Sequence, residues 1–246
     1  MNRLLLDVGN SRLKWLLLSK GAAAGSGAVE HAGDPAAALA RLPLPDSMSG
    51  TTALAANVTG PVHERALAEV ARERHGVEIQ FACVHPDCGG LKVAYADPSR
   101  LGVDRWLQML ALWSECAGAF VVASAGTALT FDAVDEEGQH LGGIIAPGLL
   151  ASQQAVLDVT RFQARRPDLE FSTGLGRDTE ACVRQGALHA CAGLLDRLGG
   201  QYAGSRARQV LCGGDAAALI PHLHRNWEMR ADLVLQGLLA LTAAQA

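Results

Sequence analysis

The sequence predicts a layered α/β protein made by internal duplication, and three observations carry that prediction. Residues 4–18 read as an apolar strand (Leu4-Leu5-Leu6-Asp7-Val8), a tight turn (Gly9-Asn10-Ser11) and a return strand (Arg12-Leu13-Lys14-Trp15-Leu16-Leu17-Leu18). The same form recurs at residues 119–134, where Phe120-Val121-Val122-Ala123-Ser124 leads through Ala125-Gly126-Thr127 into Ala128-Leu129-Thr130-Phe131-Asp132. Elsewhere, strand patterns alternate with helical ones, as in layered α/β chains. A glycine at each turn lets the backbone come close to an anion, and Asn10, Ser11 and Thr127 add side-chain donors. Two such turns facing each other across a cleft between two domains would hold a polyphosphate from both sides.

The remaining elements follow in order. After the first hairpin, the glycine- and alanine-rich residues 21–36 read as irregular, followed by a short helix at 35–42 and a strand at 52–57 that ends in the turn signal Val58-Thr59-Gly60-Pro61. Leu67, Val70 and Ala71 recur at helical spacing among charges, so 62–76 is an amphipathic helix closed by Gly76, and 77–83 returns to a strand. A strongly apolar helix at 105–117, with Trp106, Met109 and Trp113, joins the halves, which puts the domains at 1–117 and 118–246. Beyond the second hairpin come a strand at 140–145, a stop at Pro147-Gly148, and helices at 149–159, 179–199 and 233–242, with a strand at 209–211; 160–178 reads as a loop.

Composition excludes several classes of function. Hydrophobic residues make up 49% and charged residues 19%, which fits a packed globular chain rather than a disordered one. The net charge is -4 with no Lys/Arg-rich face, so a groove that tracks nucleic-acid phosphates has no footprint. No apolar stretch has the length of a membrane span, and Asp7 interrupts the short apolar N-terminus without a cleavage site after it, so a cytoplasmic protein is expected. The six cysteines contain no Cys-x-x-Cys pair and read as reduced thiols, with Cys83, His85 and Cys88 the one cluster that bears on a metal.

Chemistry concentrates at a few places. Asp7 ends an apolar strand, where a carboxylate is costly to bury without a positive neighbour; a magnesium ion bridging phosphates would supply the charge, and an Asx-type hydrogen bond to the turn would serve as well. Alternation puts Arg12 and Lys14 on one face, toward a phosphate or toward solvent. Gly102-Val103-Asp104-Arg105 precedes the apolar helix. Asp104 there is either the acid of the first turn or the carboxylate that accepts a proton in phosphoryl transfer, beside an arginine that steadies charge. Cys212-Gly213-Gly214-Asp215 reads as a plain turn or as glycines against which a base or ribose lies. No P-loop, dinucleotide fingerprint or nucleophile elbow occurs.

These motifs, in this order, resemble those of the type III pantothenate kinases, a branch of the actin, sugar kinase and heat-shock chaperone ATPase superfamily. The resemblance runs through Asp7 to Lys14; Tyr95, Pro98 and Gly102 to Arg105; Gly126-Thr127-Ala128 with Thr130 and Asp132; Leu141 to Gly148; Thr179 to Gly186; and Gly213 to Ala216. It implies two actin-like ATPase domains of ribonuclease H-like fold with a cleft between them, and an ATP-dependent kinase that phosphorylates pantothenate on the way to coenzyme A. It also implies that Asp7, Val8, Gly9, Asn10, Ser11, Arg12, Leu13, Lys14, Gly126 and Thr127 bind ATP, with Asp7 near magnesium. Asp104 would be the general base; Tyr95, Gly102, Val103, Asp104 and Arg105 would line the pantothenate pocket, with Thr179 reaching it from the second subunit of a homodimer. One position departs. The family typically has an aspartate two residues before the Gly-Thr turn to hold potassium or ammonium, and here Ser124 stands in its place, so a monovalent cation would depend on weaker donors. A non-catalytic accessory factor for transcription on the same fold is the alternative that the resemblance carries.

Overall fold

The computed structural model describes residues 2–45, 48–116, 118–160, 170–204 and 207–244. Leu4, Leu5, Leu6 and Val8 are each no more than 1% exposed, which makes Asn2–Val8 (β1) a strand buried on both faces. β1 pairs antiparallel with Arg12–Ser19 (β2), and β2 pairs antiparallel with Ala22–Glu30 (β3). β3 corrects the irregular reading of residues 21–36. A side chain at Gly25 or Gly27 would meet the Trp15 ring at 3.0 or 2.9 Å, so the small residues that suggested a loop are the bed on which Trp15 lies.

Asp34 caps Pro35–Ala40 (α1) by accepting from Ala37 N–H at 2.9 Å, and Thr51–Asn57 (β4) then lies parallel to β1. Pro61–His75 (α2) starts on a proline and ends at Gly76, whose φ of 65° is the left-handed cap expected there. Ile79–Phe81 (β5) extends the sheet, Asp87–Cys88 (β6) and Leu91–Lys92 (β7) make a small hairpin, and Val103–Glu115 (α3) follows a one-turn 3₁₀ helix at Pro98–Arg100.

The second half repeats the plan with Phe120–Ala125 (β8), Ala128–Val134 (β9), His140–Pro147 (β10), Leu149–Thr160 (α4) and Thr179–Tyr202 (α5). Arg208–Cys212 (β11), Ala216–Leu219 (α6), Glu228–Met229 (β12) and Leu233–Ala244 (α7) complete it. The two five-stranded sheets have orders β3-β2-β1-β4-β5 and β10-β9-β8-β11-β12, and in each the first three strands are antiparallel and the last three parallel. The duplication seen in the hairpins therefore extends to whole sheets.

The chain divides into one unit that runs from its start to Glu115 and is completed from Leu233 onward, and another at Cys116–Asp232. The expected boundary at residue 117 lies outside the described residues. The last helix differs from the reading that assigned it to the second half. Leu233, Val234, Leu235, Leu238 and Leu241 of α7 are buried, and Gly237 packs so closely on the Leu107 carbonyl of α3 that a side chain has no room. Arg3 of β1 also donates to Thr242 Oγ1 at 3.0 Å.

Candidate active site

The first glycine turn closes where Gly9 N–H donates to the Arg12 carbonyl at 3.0 Å. Asp7 of β1 lies directly opposite Lys14 of β2 in the ladder, so half-buried carboxylate and ammonium share one face of the sheet. Val8 and Leu13, expected among the nucleotide-binding residues, have fully buried side chains and offer a ligand only main chain. Asn10 and Ser11 are exposed at the tip. Arg12 is exposed too, and its Nη2 donates to Glu30 Oε1 at 3.0 Å across β2 and β3.

His31 holds this turn from below, a role that nothing in its sequence context signals. It is 3% exposed, its ring Nε2 lies 2.8 Å from the Gly9 carbonyl, and its own N–H donates to the Ser11 carbonyl at 3.2 Å. Gly33 N–H donates to Nδ1 at 3.2 Å, so Nε2 is the ring nitrogen that carries hydrogen toward Gly9.

Residues 99–103 lie at the same end of the first sheet. Val8 and Asn57 end β1 and β4 side by side, and Asn57 borders a cavity of about 420 Å³ whose wall also includes Cys83, Arg100, Gly102 and Val103. The cavity thus opens beyond the carboxyl ends of parallel strands, where open α/β sheets place their ligands. Arg100 also borders a neighbouring cavity of about 510 Å³ with Tyr95 and Asp97. Asp104 is half-buried in the first turn of α3, and a side chain built at Gly102 would meet its Oδ1 at 2.7 Å. Arg105 is buried, and its Nη1 donates to the Tyr95 hydroxyl at 3.3 Å, which brings together two residues expected in one pocket.

In the second unit, Gly126 N–H donates to the Ala128 carbonyl at 3.0 Å and leaves Thr127 exposed at the tip. Backbone clasps this turn from two sides: Gly148 N–H donates to the Thr127 carbonyl at 3.2 Å, and Asp215 N–H to the Ala125 carbonyl at 3.0 Å. A side chain at Gly148 would collide with the Gly126 carbonyl and one at Gly213 with the Ala125 carbonyl. Glycine at 213 is therefore explained by close approach of strand ends, without a ligand. Asp132 is buried and lies 3.0 Å from the Nε2 of buried His140, so this carboxylate is internal. Ser124 of β8 sits opposite Thr130 of β9.

Thr179 begins α5 after Asp178, which accepts from Ala181 N–H at 3.0 Å. Thr179 is exposed and borders an apolar groove of about 390 Å³ between α4 and α5 with Val156, Cys182, Val183 and Gly186. All six cysteines are free, Cys83 Sγ lies 3.8 Å from His85 Nε2, and burial pushes the Cys88 and Cys191 thiols up. Among the described residues no cluster of three or more His, Cys, Asp or Glu is arranged for a metal ion, and no helix is long and apolar enough to cross a membrane.

Comparison with known proteins supplies what geometry alone does not. The family model described as type III pantothenate kinase matches residues 3–200. Curated relatives of that name include those of Nitrosococcus oceani, 31% identical over 96% of this chain and 91% of that protein, and of Laribacter hongkongensis, 34% identical over 96% of each. The Xanthomonas oryzae protein is 34% identical over 100% of this chain and 99% of its own length. Among solved structures, a conserved putative Baf family transcriptional activator from Campylobacter jejuni superimposes with a TM-score of 0.60 at 17% identity over 98% of both chains. A putative 2-dehydro-3-deoxygalactonokinase from Sinorhizobium meliloti gives 0.58 at 13% identity, covering 99% of this chain and 95% of that one. These structural likenesses establish a shared fold.

Proposed function

The chain belongs to the type III pantothenate kinase family, and we propose that its two glycine turns bind the phosphates of ATP while Asp104 takes the proton of the primary hydroxyl of pantothenate. The activity is ATP-dependent phosphorylation of pantothenate to 4'-phosphopantothenate, which serves coenzyme A biosynthesis. The reading as an accessory factor for transcription is not favoured, because the curated relatives carry the kinase name.

The observation that carries the base assignment is a half-buried carboxylate in the first turn of α3, folded over Gly102 beside the cavity at the strand ends. As the hydroxyl oxygen bonds to the γ-phosphorus, its proton passes to Asp104 and the bond to the bridging oxygen of ADP breaks. The buried Arg105 and the Tyr95 hydroxyl hold each other beside that carboxylate, so they orient the acceptor at little entropic cost when it arrives. Asn10, Ser11 and Thr127 donate to the phosphates. The Asp7 carboxylate on the face it shares with Lys14 suits a magnesium ion, which when bound neutralises phosphate charge.

Three further assignments complete the reading. The apolar groove beside Thr179, lined by Val156 at 42% exposed and continued along α4 by Val159 at 81% exposed, is the surface for a second copy of the chain, making a homodimer in which Thr179 serves the partner's pantothenate. Ser124 contributes a hydroxyl where the family has a carboxylate, so the requirement for potassium or ammonium is weak. The enzyme is cytoplasmic.

A coupled ADP-release assay with ATP and magnesium, run with and without pantothenate and with potassium, ammonium or neither, tests the reading. ADP release should require pantothenate. Asp104→Asn should lower kcat by roughly 10²–10⁴-fold with both KM values little changed. Turnover near wild type in that variant would remove Asp104 from the role of base.

A further inference from the structure

We propose that His31 is a positioning residue for the first phosphate turn, setting the direction of its main-chain donors and hence the affinity for ATP. This rests on the reading of that turn as part of the ATP site. In a trans peptide the C=O of one residue and the N–H of the next point in opposite directions. The 2.8 Å bond from Nε2 to the Gly9 carbonyl therefore aims Asn10 N–H away from the imidazole, toward the side of the turn that His31 leaves open. The bond from His31 N–H to the Ser11 carbonyl, 3.2 Å, fixes the peptide between Ser11 and Arg12, at the far side of the turn, in the same way.

The ring is itself held. Ala32 and Gly33 have φ of 47° and 91°, a left-handed pair that turns the chain back so that Gly33 N–H donates to Nδ1. Among the described residues Ala32 shares a positive φ only with Lys20 and Asp232 outside the glycines, and here that conformation accompanies the contact to the ring. A buried side chain locked by its neighbours and bonded to a ligand-binding loop is how a site keeps its donors aimed before the ligand arrives.

Near-isosteric variants separate this role from simple filling of space. Gln at position 31 places an amide nitrogen where Nε2 lies and keeps the bond to Gly9, whereas Asn reaches only the Nδ1 position and loses it. The full-length chain is titrated with magnesium and a non-hydrolysable ATP analogue by calorimetry, and KM for ATP and for pantothenate are measured in parallel. His31→Ala and His31→Asn should weaken analogue binding by about tenfold or more, raise KM for ATP alike and leave KM for pantothenate within twofold. His31→Gln should bind within about threefold of wild type. Equal binding by all variants overturns the proposal, as does a loss that falls on both substrates and that Gln does not rescue. Wild-type protein that fails to bind the analogue would instead remove the reading of the turn as an ATP site, and the role of His31 with it.

Discussion

The Asp104 carboxylate occupies the space beside Gly102 where a side chain would stand: a Cβ there would meet Oδ1 at 2.7 Å. Gly102→Ala should displace the carboxylate while leaving the core of α3 untouched, lowering kcat by about 10²-fold, the cost of misplacing a reacting group by roughly an ångström. Steady-state kinetics beside a denaturation curve checks it, since a comparable loss of stability would point to a damaged helix. A second charged residue bears on stability. Hydrogen bonding to Arg208 holds the Glu228 carboxyl below its usual range, and Arg230 adds to this. A carboxyl that is lowered in the folded state stabilises the fold above its unfolded value, and that contribution fades as pH falls through the folded one. The side chain is 45% exposed, so the pair contributes no more than about 1 kcal/mol. Glu228→Gln should lower stability by that much or less at neutral pH and match wild type in acid, read from urea melts across pH.

At the scale of elements, the parts visible in sequence are those specified by their own neighbours. Leu4 to Leu6 with Val8, and Phe120 to Ala123, are continuous apolar runs that form strands wherever a sheet buries both faces. Pro61 and Gly76 bracket α2 as their conformational preferences require. What stayed hidden depends on partners distant in the chain. Residues 22–30 lack the β-branched pattern of a strand, and only Trp15 lying across Gly25 and Gly27 shows why small residues are needed there. His31 is a histidine without a motif, and its function exists only because β3 brings it under Gly9. Asp104 and Tyr95 were legible as a motif, but the hydrogen bond from Arg105 that joins the segment was not. Asp132 shows the reverse: a motif residue whose carboxylate turns inward to His140.

For the molecule as a whole, the two sheets share one strand order, yet the chain does not divide into two consecutive halves. The first unit borrows its last helix from the end of the chain, and the fit is close, with Leu238 fully buried and Gly237 against Leu107. The first unit therefore cannot be complete until the second has been synthesised. Leu238→Ala tests this grouping in the intact chain. Removing a buried leucine side chain costs about 2–5 kcal/mol through lost burial and the cavity left behind. If α7 belongs to the first unit, that loss should appear in hydrogen exchange as faster opening of β1, β4 and α3, while β8, β9 and α5 exchange as in wild type. Faster exchange confined to residues 118–232 would reverse the assignment and return the last helix to the second half.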